Sequence, residues 1–280
     1  MATYRGRRAV SARSVLTYIV LLLGGAIAIF PFYWLIAGSL KTPAELFRRP
    51  PTLLPNDLTL DAYRFVWETM DVPRALMNST IVAVGEVGLN ICFSALVAYA
   101  LAKMRIPGKR YLFWLVLALM MIPFQIMMIP LFLQIDRLGL LDTYAGIILP
   151  GAVSSFTIFL LHQAFTTVPN DYIDAALVDG ANHFGILTRI VVPMVWPLIL
   201  TAVVINFYWS WNGFLWPFIV IQGDDMATLP VALARYQSFQ EQRWDAVLAG
   251  ATITSLPILI LYLVIQRKFV DSLTMTGLKG

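Results

Sequence analysis

Apolar and polar positions along this chain separate into long blocks. Six apolar runs stand out: Val15 to Gly38, Ser79 to Ala102, Tyr111 to Leu133, Tyr144 to Phe165, Met194 to Ile221 and Ala246 to Gln266. Each has the roughly 20 residues that a helix needs to cross a hydrocarbon core of about 30 Å. Helices are expected because they satisfy their own backbone hydrogen bonds where no water reaches. The dyad alternation of an outer-membrane barrel is missing. The pattern therefore predicts an all-α integral membrane protein with six transmembrane helices in a single domain over 1–280. Arg5, Arg7, Arg8 and Arg13 before the first run, and Ala26-Ile27-Ala28 within it, also resemble a cleaved signal peptide. The apolar stretch continues through Phe30, Phe32, Tyr33 and Trp34, past the ~7–15 residues of a signal core, so retention as a span is the better reading.

Composition agrees with a bilayer. Hydrophobic residues make up 59% of the chain, charged residues 13%, and the mean hydropathy is +0.75, far from a soluble mix. The distribution of Lys and Arg sets the expected orientation. The N-terminus, the Lys103 to Arg110 loop, the 166–193 loop and the tail carry 12 basic and 4 acidic residues, against 8 basic and 11 acidic in 39–78, 134–143 and 222–245. Both termini and the 166–193 loop are accordingly expected to be cytoplasmic. The net charge of +4 is an orientation charge, with no nucleic-acid patch in it. Cys92 is alone, so no intrachain disulfide is possible.

Outside the spans, 39–78 reads as a long outer loop, in which Ala62, Phe65, Val66 and Met70 fall at helical spacing over Asp61 to Met70. Gln222 to Asp245, with a turn at Leu229-Pro230, is a second outer segment long enough to meet an external partner. Catalytic signatures are missing: no phosphate-binding glycine loop, no G-x-S-x-G, and only His162 and His183 for metal chemistry. An enzyme and a metal site are thus disfavoured.

Polar residues inside the runs are the pathway candidates. Glu86 lies about two turns into the second run with Asn90 four residues on, and an intramembrane carboxylate is a functional hypothesis by default. Snorkelling near the outer interface, or pairing with a neighbouring helix, is the better-supported reading of Glu86. Ser94, Ala98 and Ala102 continue the spacing and favour close helix approach. Gln125 lies between Pro123 and Pro130, which free backbone carbonyls as in broken helices that line cavities, although ordinary kinks explain them equally well. The fifth run ends in NFYWSWNGFLWPF. Trp209, Trp211 and Trp216 fit an interfacial aromatic belt. Asn212, flanked by Trp211, is costly on a lipid face and suits a wet cavity.

The polar segment from Val168 to Pro193 stands apart. Asn170 suits a helix cap, Asp171 and Asp174 complement the helix N-terminus, and Gly180 after Asp179 sits where a helix-ending glycine belongs. A second short helix presents Phe184, Leu187 and Val191 on one face and stops at Pro193. A helix lying on anionic lipid would carry Lys and Arg on its polar face; Asp171, Asp174 and Asp179 argue instead for a knob that meets a partner in water.

Asp174-Ala175-Ala176, then Asp179-Gly180-Ala181 and Pro193, resemble the EAA loop of binding-protein-dependent ABC importer permeases. AYALAKMRIPGKR at 98–110, MIPLFLQIDRLGLLDT at 128–143, WNGFLWP at 211–217 and LTMTGLKG at 273–280 extend the likeness to the carbohydrate permeases of the maltose-permease type, the six-span partner. Asp174 departs from the usual Glu. The resemblance implies a type I importer permease fold. It implies a coupling helix at Asp171, Asp174, Ala175, Ala176, Asp179, Gly180, Ala181, Asn182 and His183 that docks on a dimeric cytoplasmic ATPase. Thr274, Met275, Thr276 and Gly277 become a tail contacting that ATPase. A second homologous permease and an extracytoplasmic solute-binding protein are further implied partners; ATP and Mg belong to the ATPase, and no cofactor to this chain. The expected cargo is a sugar or a polyol-phosphate-like solute. An ion-coupled secondary transporter and a membrane scaffold are the alternatives.

Overall fold

The computed structural model describes residues 12–239 and 243–277, with side chains for 15–236 and 243–264. Every regular element among them is helical. The described residues divide into two compact units, 12–69 with 243–253, and 70–239 with 254–277.

In the first unit, α1 (Ala12–Ser39) is one unbroken helix whose apolar residues from Val15 to Phe32 are exposed. A helix that is apolar all round and unburied suits lipid. Beyond it come α2 (Pro43–Leu46) and α3 (Asp61–Thr69), the latter burying Ala62 and Val66 as its spacing predicted. The loop between them is built on Lys41 and Glu45. Lys41, only 2% exposed, donates to the Thr52 carbonyl (2.5 Å), and its ammonium lies 4.8 Å from the Trp34 ring centre. Glu45 Oε1 accepts from the Thr52 hydroxyl (2.7 Å) and the Asn56 amide (2.9 Å). These two donors, Thr52 first, hold the Glu45 carboxyl below the usual glutamate range. A depressed pKa contributes stability that is present above the unfolded value and lost as pH falls through the folded one. Hydrogen-exchange protection of the Asn56 amide is therefore expected to persist at neutral pH and to be lost as the pH falls through the lowered Glu45 value, and Glu45→Gln should remove that dependence.

The second unit is organised by α4 (Val72–Lys103), the longest of its uninterrupted helices, which starts seven residues before the expected span. Where single spans were expected at 111–133 and 144–165, the chain forms bent pairs, and a third bend lies at the start of the span expected at 194–221. Helix α5 (Lys109–Met120) meets α6 (Phe124–Arg137) at 96°. Next, α7 (Tyr144–Ile148), extended by a turn to Gly151, meets α8 (Ser155–Thr166) at 47°. After the polar helix α9 (Asn170–Val178), α10 (His183–Ile186) runs through a wide turn into α11 (Val192–Met194) and meets α12 (Trp196–Trp211) at 88°. Proline accounts for two of the breaks: Pro123 and Pro197 lack the amide that would bridge the gap and stand at the start of the following helix, whereas Pro150 lies in the last turn before the middle bend. The fifth run breaks again at Asn212–Phe214 before α13 (Leu215–Val220). Leu229-Pro230 opens α14 (Leu229–Phe239) rather than forming a turn. Finally, α15 (Trp244–Gly277) passes from the first unit into the second. Among the described residues, three helices are long and apolar enough to span a membrane, and up to six if each bent pair counts as one.

Helices α8 and α12 pack along α4. Their core includes Ala98, Leu161, Phe165, Ile186, Val191 and Ala202, each completely covered. The presence of Ile173 and Ile186 in this core fastens the polar loop to the bundle.

Candidate functional site

Helix α4 presents three sets of polar groups at successive heights. Near its start, Asn78 donates to the carbonyls of Asp225 and Ala227 (2.9 Å each) and accepts from the Tyr144 hydroxyl (2.6 Å). Ser79 Oγ accepts from the Leu229 amide (2.8 Å). Arg235 donates to the carbonyls of Ile221 and Gly223 and to Asp224 (2.7, 3.0 and 2.7 Å), and Arg74 pairs with Asp225. The segment 221–229 is thereby tied to the N-terminal end of α4.

Half-way along, Val82, Glu86 and Asn90 line a cavity of about 480 Å³, closed on other sides by the 149–154 turn and by α12 and α13. Ser210 Oγ donates to Glu86 Oε2 (2.5 Å), and Asn90 Nδ2 donates to the Gly151 carbonyl (2.7 Å). Gly151 is required by this approach, since a Cβ there would overlap the Glu86 carboxyl. Trp209 and Trp216 supply the aromatic wall, with the Trp216 indole donating to the Gly146 carbonyl (3.2 Å). Asn206 also lines the cavity, donating to Thr157 Oγ1 (3.0 Å) and the Ala202 carbonyl (2.8 Å).

At its C-terminal end, α4 holds the polar loop. Lys103 Nζ donates to the Val168 carbonyl (2.5 Å) and Asn170 Oδ1 (2.9 Å), and the Tyr99 hydroxyl lies 3.0 Å from His183 Nδ1. Pro169, not Asn170, occupies the cap position of α9 because its fixed φ suits that site; Asn170 is the first helical residue and its oxygen is taken by Lys103. The helix ends as its glycine predicted. Gly180 has φ +81°, its amide donates to the Leu177 carbonyl (3.1 Å), and the Ala181 amide to the Ala176 carbonyl (2.9 Å), the paired bonds of a Schellman end. Asn182 then caps α10 through the Gly185 amide (2.7 Å). Asp171, Asp174, Ala175, Asp179 and Gly180 face outward with Tyr172, Leu177, Val178 and Phe184, while Ala176 packs inward. Ala181 and His183 are half-buried. Two expectations need correction. Phe184 is exposed while Leu187 and Val191 are buried, because the wide turn over 187–191 rotates the later face inward. Pro193 does not stop the helix, which breaks at Val195, one residue before Trp196-Pro197.

Of the five pathway candidates, the cavity gathers Glu86 and Asn90 alone. Gln125 is exposed on α6, next to Phe124, which does line the cavity. Trp211 is buried, its indole donating to the Thr254 carbonyl (3.0 Å). Asn212 ends α12 by donating to the Tyr208 carbonyl (2.9 Å) and faces a separate hollow of about 230 Å³ beside Phe214 and Pro230. Ser210, Asn206 and Gly151 escaped the sequence reading. Trp209 and Ser210, three and four residues after Asn206, mark one face of α12, a spacing that could have found two of them. Thr274, Met275, Thr276 and Gly277 continue α15, but their side chains lie outside the described residues. Among the described residues, no group of three or more His, Cys, Asp or Glu is placed to hold a metal ion.

The model of the family of binding-protein-dependent transport system inner membrane components matches residues 90–274. The chain is 37% identical to an arabinooligosaccharides transport system permease protein of Halalkalibacterium halodurans, over 91% of this chain and 92% of that one. It is 32% identical to a lactose transport system permease protein of Rhizobium radiobacter, over 92% and 94% respectively. A solved structure described as a bacterial ABC transporter involved in the import of the acidic polysaccharide alginate contains a chain with TM-score 0.82 and 25% identity, covering 95% of this chain and 99% of its own.

Proposed function

The chain belongs to the binding-protein-dependent transport system inner membrane components, and from that premise we propose how its geometry serves transport. It is a permease subunit for sugar import by an ABC transporter, resident in the inner membrane, and it is not an enzyme; ATP hydrolysis belongs to a separate subunit. Members of this family work with a partner permease, an ATPase and a binding protein. In our reading residues 1–280 act as one permease domain beside a homologous partner, with ATP and Mg on a dimeric ATPase and no cofactor on this chain.

The coupling element in this reading is α9 with the Gly180 elbow and the start of α10. It carries exposed Asp171, Asp174 and Asp179 beside exposed Tyr172 and Val178, a surface suited to a mixed polar and apolar cleft. The observation that carries the proposal is the span of α4. One helix grips this knob through Tyr99 and Lys103 and lines the cavity through Glu86, about 26 Å away at 1.5 Å per residue. A push on the knob reaches the cavity through a rigid element, and the cavity is the solute path. The helix tail at 274–277 reaches the same ATPase.

This reading puts both termini and α9 in the cytoplasm. In a Cys92-free background, Val178→Cys should resist a membrane-impermeant maleimide added to intact cells with a permeable outer membrane, and Asp224→Cys should react. Labelling of Val178→Cys from outside would reverse the orientation. An ion-coupled transporter or a scaffold finds no specific support among these features.

A further inference from the structure

The cavity has a chemical polarity of its own. Ser210, Asn206 and Trp216 commit their hydrogens to protein acceptors, and Asn90 commits one of its two. Two acceptors are left over. Glu86 Oε1 takes no hydrogen bond from any described residue, since Ser210 occupies the other oxygen. Asn90, 3% exposed, leaves its Oδ1 without a partner. A buried acceptor left unpaired is costly, and a ligand that supplies the hydrogen recovers that cost. None of the lining residues is Lys, Arg or His, so nothing on this side would neutralise an anion. In its ionised form the Glu86 carboxylate would repel one at short range. Trp209 and Trp216 offer flat apolar faces of the kind that cover the C–H side of a sugar ring.

The geometry points to Glu86 as the group by which this permease selects its solute: its free carboxylate oxygen accepts hydroxyl hydrogens of an uncharged sugar ring and turns away rings that carry a carboxylate. The proposal rests on the reading of this cavity as the solute path. Ser210 is a positioning residue that orients the carboxylate, and Gly151 provides the room it stands in.

The test uses the complete importer, permease pair and ATPase, in lipid nanodiscs without the binding protein, so that selection by the latter does not enter. Saturation-transfer NMR is recorded with arabinotriose as the neutral probe and trigalacturonate as the acidic one. Wild-type complex should give a signal from arabinotriose at least five times that from trigalacturonate. Glu86→Gln keeps an acceptor and removes the charge; it should retain arabinotriose and raise the trigalacturonate signal until the two are within about twofold. Glu86→Leu removes the acceptor and should lose most of the arabinotriose signal. Each variant is compared per assembled complex after gel filtration, and Ser210→Ala, which should weaken arabinotriose binding by a smaller factor, repeats the test without touching the carboxylate. An unchanged ratio of the two probes in Glu86→Gln overturns the proposal, as does wild-type complex that binds neither probe. ATPase stimulation of the wild-type complex by its loaded binding protein, measured alongside, separates these failures: if stimulation is intact, the permease reading stands and the selection by Glu86 falls.

Discussion

Gly180→Asp should cut solute uptake by about 100-fold or more while the chain still inserts and assembles. Gly180 closes α9 with φ +81°, and no atom lies within 4 Å of where a Cβ would stand. The new side chain therefore projects into open space, and the internal cost is the left-handed backbone alone, about 1 kcal/mol for an aspartate that tolerates it better than most residues. The functional cost arises at the docked surface. There an added charge beside Asp179 forces a gap or an unmatched carboxylate on the ATPase, and misplaced charge at an interface costs several kcal/mol. Uptake per assembled complex and the melting temperature of the purified chain separate the two costs. Gly180→Asn, which keeps the turn without the charge, should retain more transport than Gly180→Asp. Normal uptake by Gly180→Asp would remove α9 from the coupling role.

Phe165→Ala should lower stability more than truncation of any other core side chain that α8 contributes. Phe165 is fully buried at the end of α8, in the cluster shared by Ala98 and Leu101 of α4 and by Ile173 and Ile186 of the polar loop. Emptying such a site costs about 3–5 kcal/mol, because the surrounding helices cannot collapse into the cavity. At about 2–4 °C per kcal/mol for a chain of this size, the melting temperature should fall by about 10 °C. Its consequence for transport follows from position. Ile173 and Ile186 lose the support on which the knob rests, so uptake per assembled complex should fall too, and Phe165→Leu should recover most of both. A drop in melting temperature with unchanged uptake per complex would mean that the knob is held by Tyr99 and Lys103 without help from the core.

Some of the candidate site was legible before the structure. The Gly180 elbow and the Asn182 cap depend on residues no more than five apart, and backbone geometry at that range follows from residue type. Glu86 and Asn90 could be paired for the same reason, being one helical turn apart. Asn212 and Trp211 could not be judged this way. Both are polar or aromatic residues in an apolar run, and each finds its partner in a main-chain carbonyl, one of its own helix and one of α15. Residue type shows that an amide needs a partner but not which one it finds.

Membrane residence, the number of apolar runs and the helical class are determined by the sequence alone, because transfer of side chains out of water is a local sum that needs no knowledge of the fold. Tertiary structure decided the rest. Bends of 96° and 47° turned two expected straight spans into broken ones, and one of 88° sets the start of a third against the loop helix before it. Prolines mark where a backbone bond is lost but not how far the chain then turns, which the packing of neighbouring helices sets. The cavity belongs wholly to this second level. Glu86 and Ser210 are 124 residues apart and Asn90 and Gly151 are 61 apart, and no periodicity along a chain encodes contacts at that separation; they exist because α4, α8 and α12 pack together with small residues where they approach.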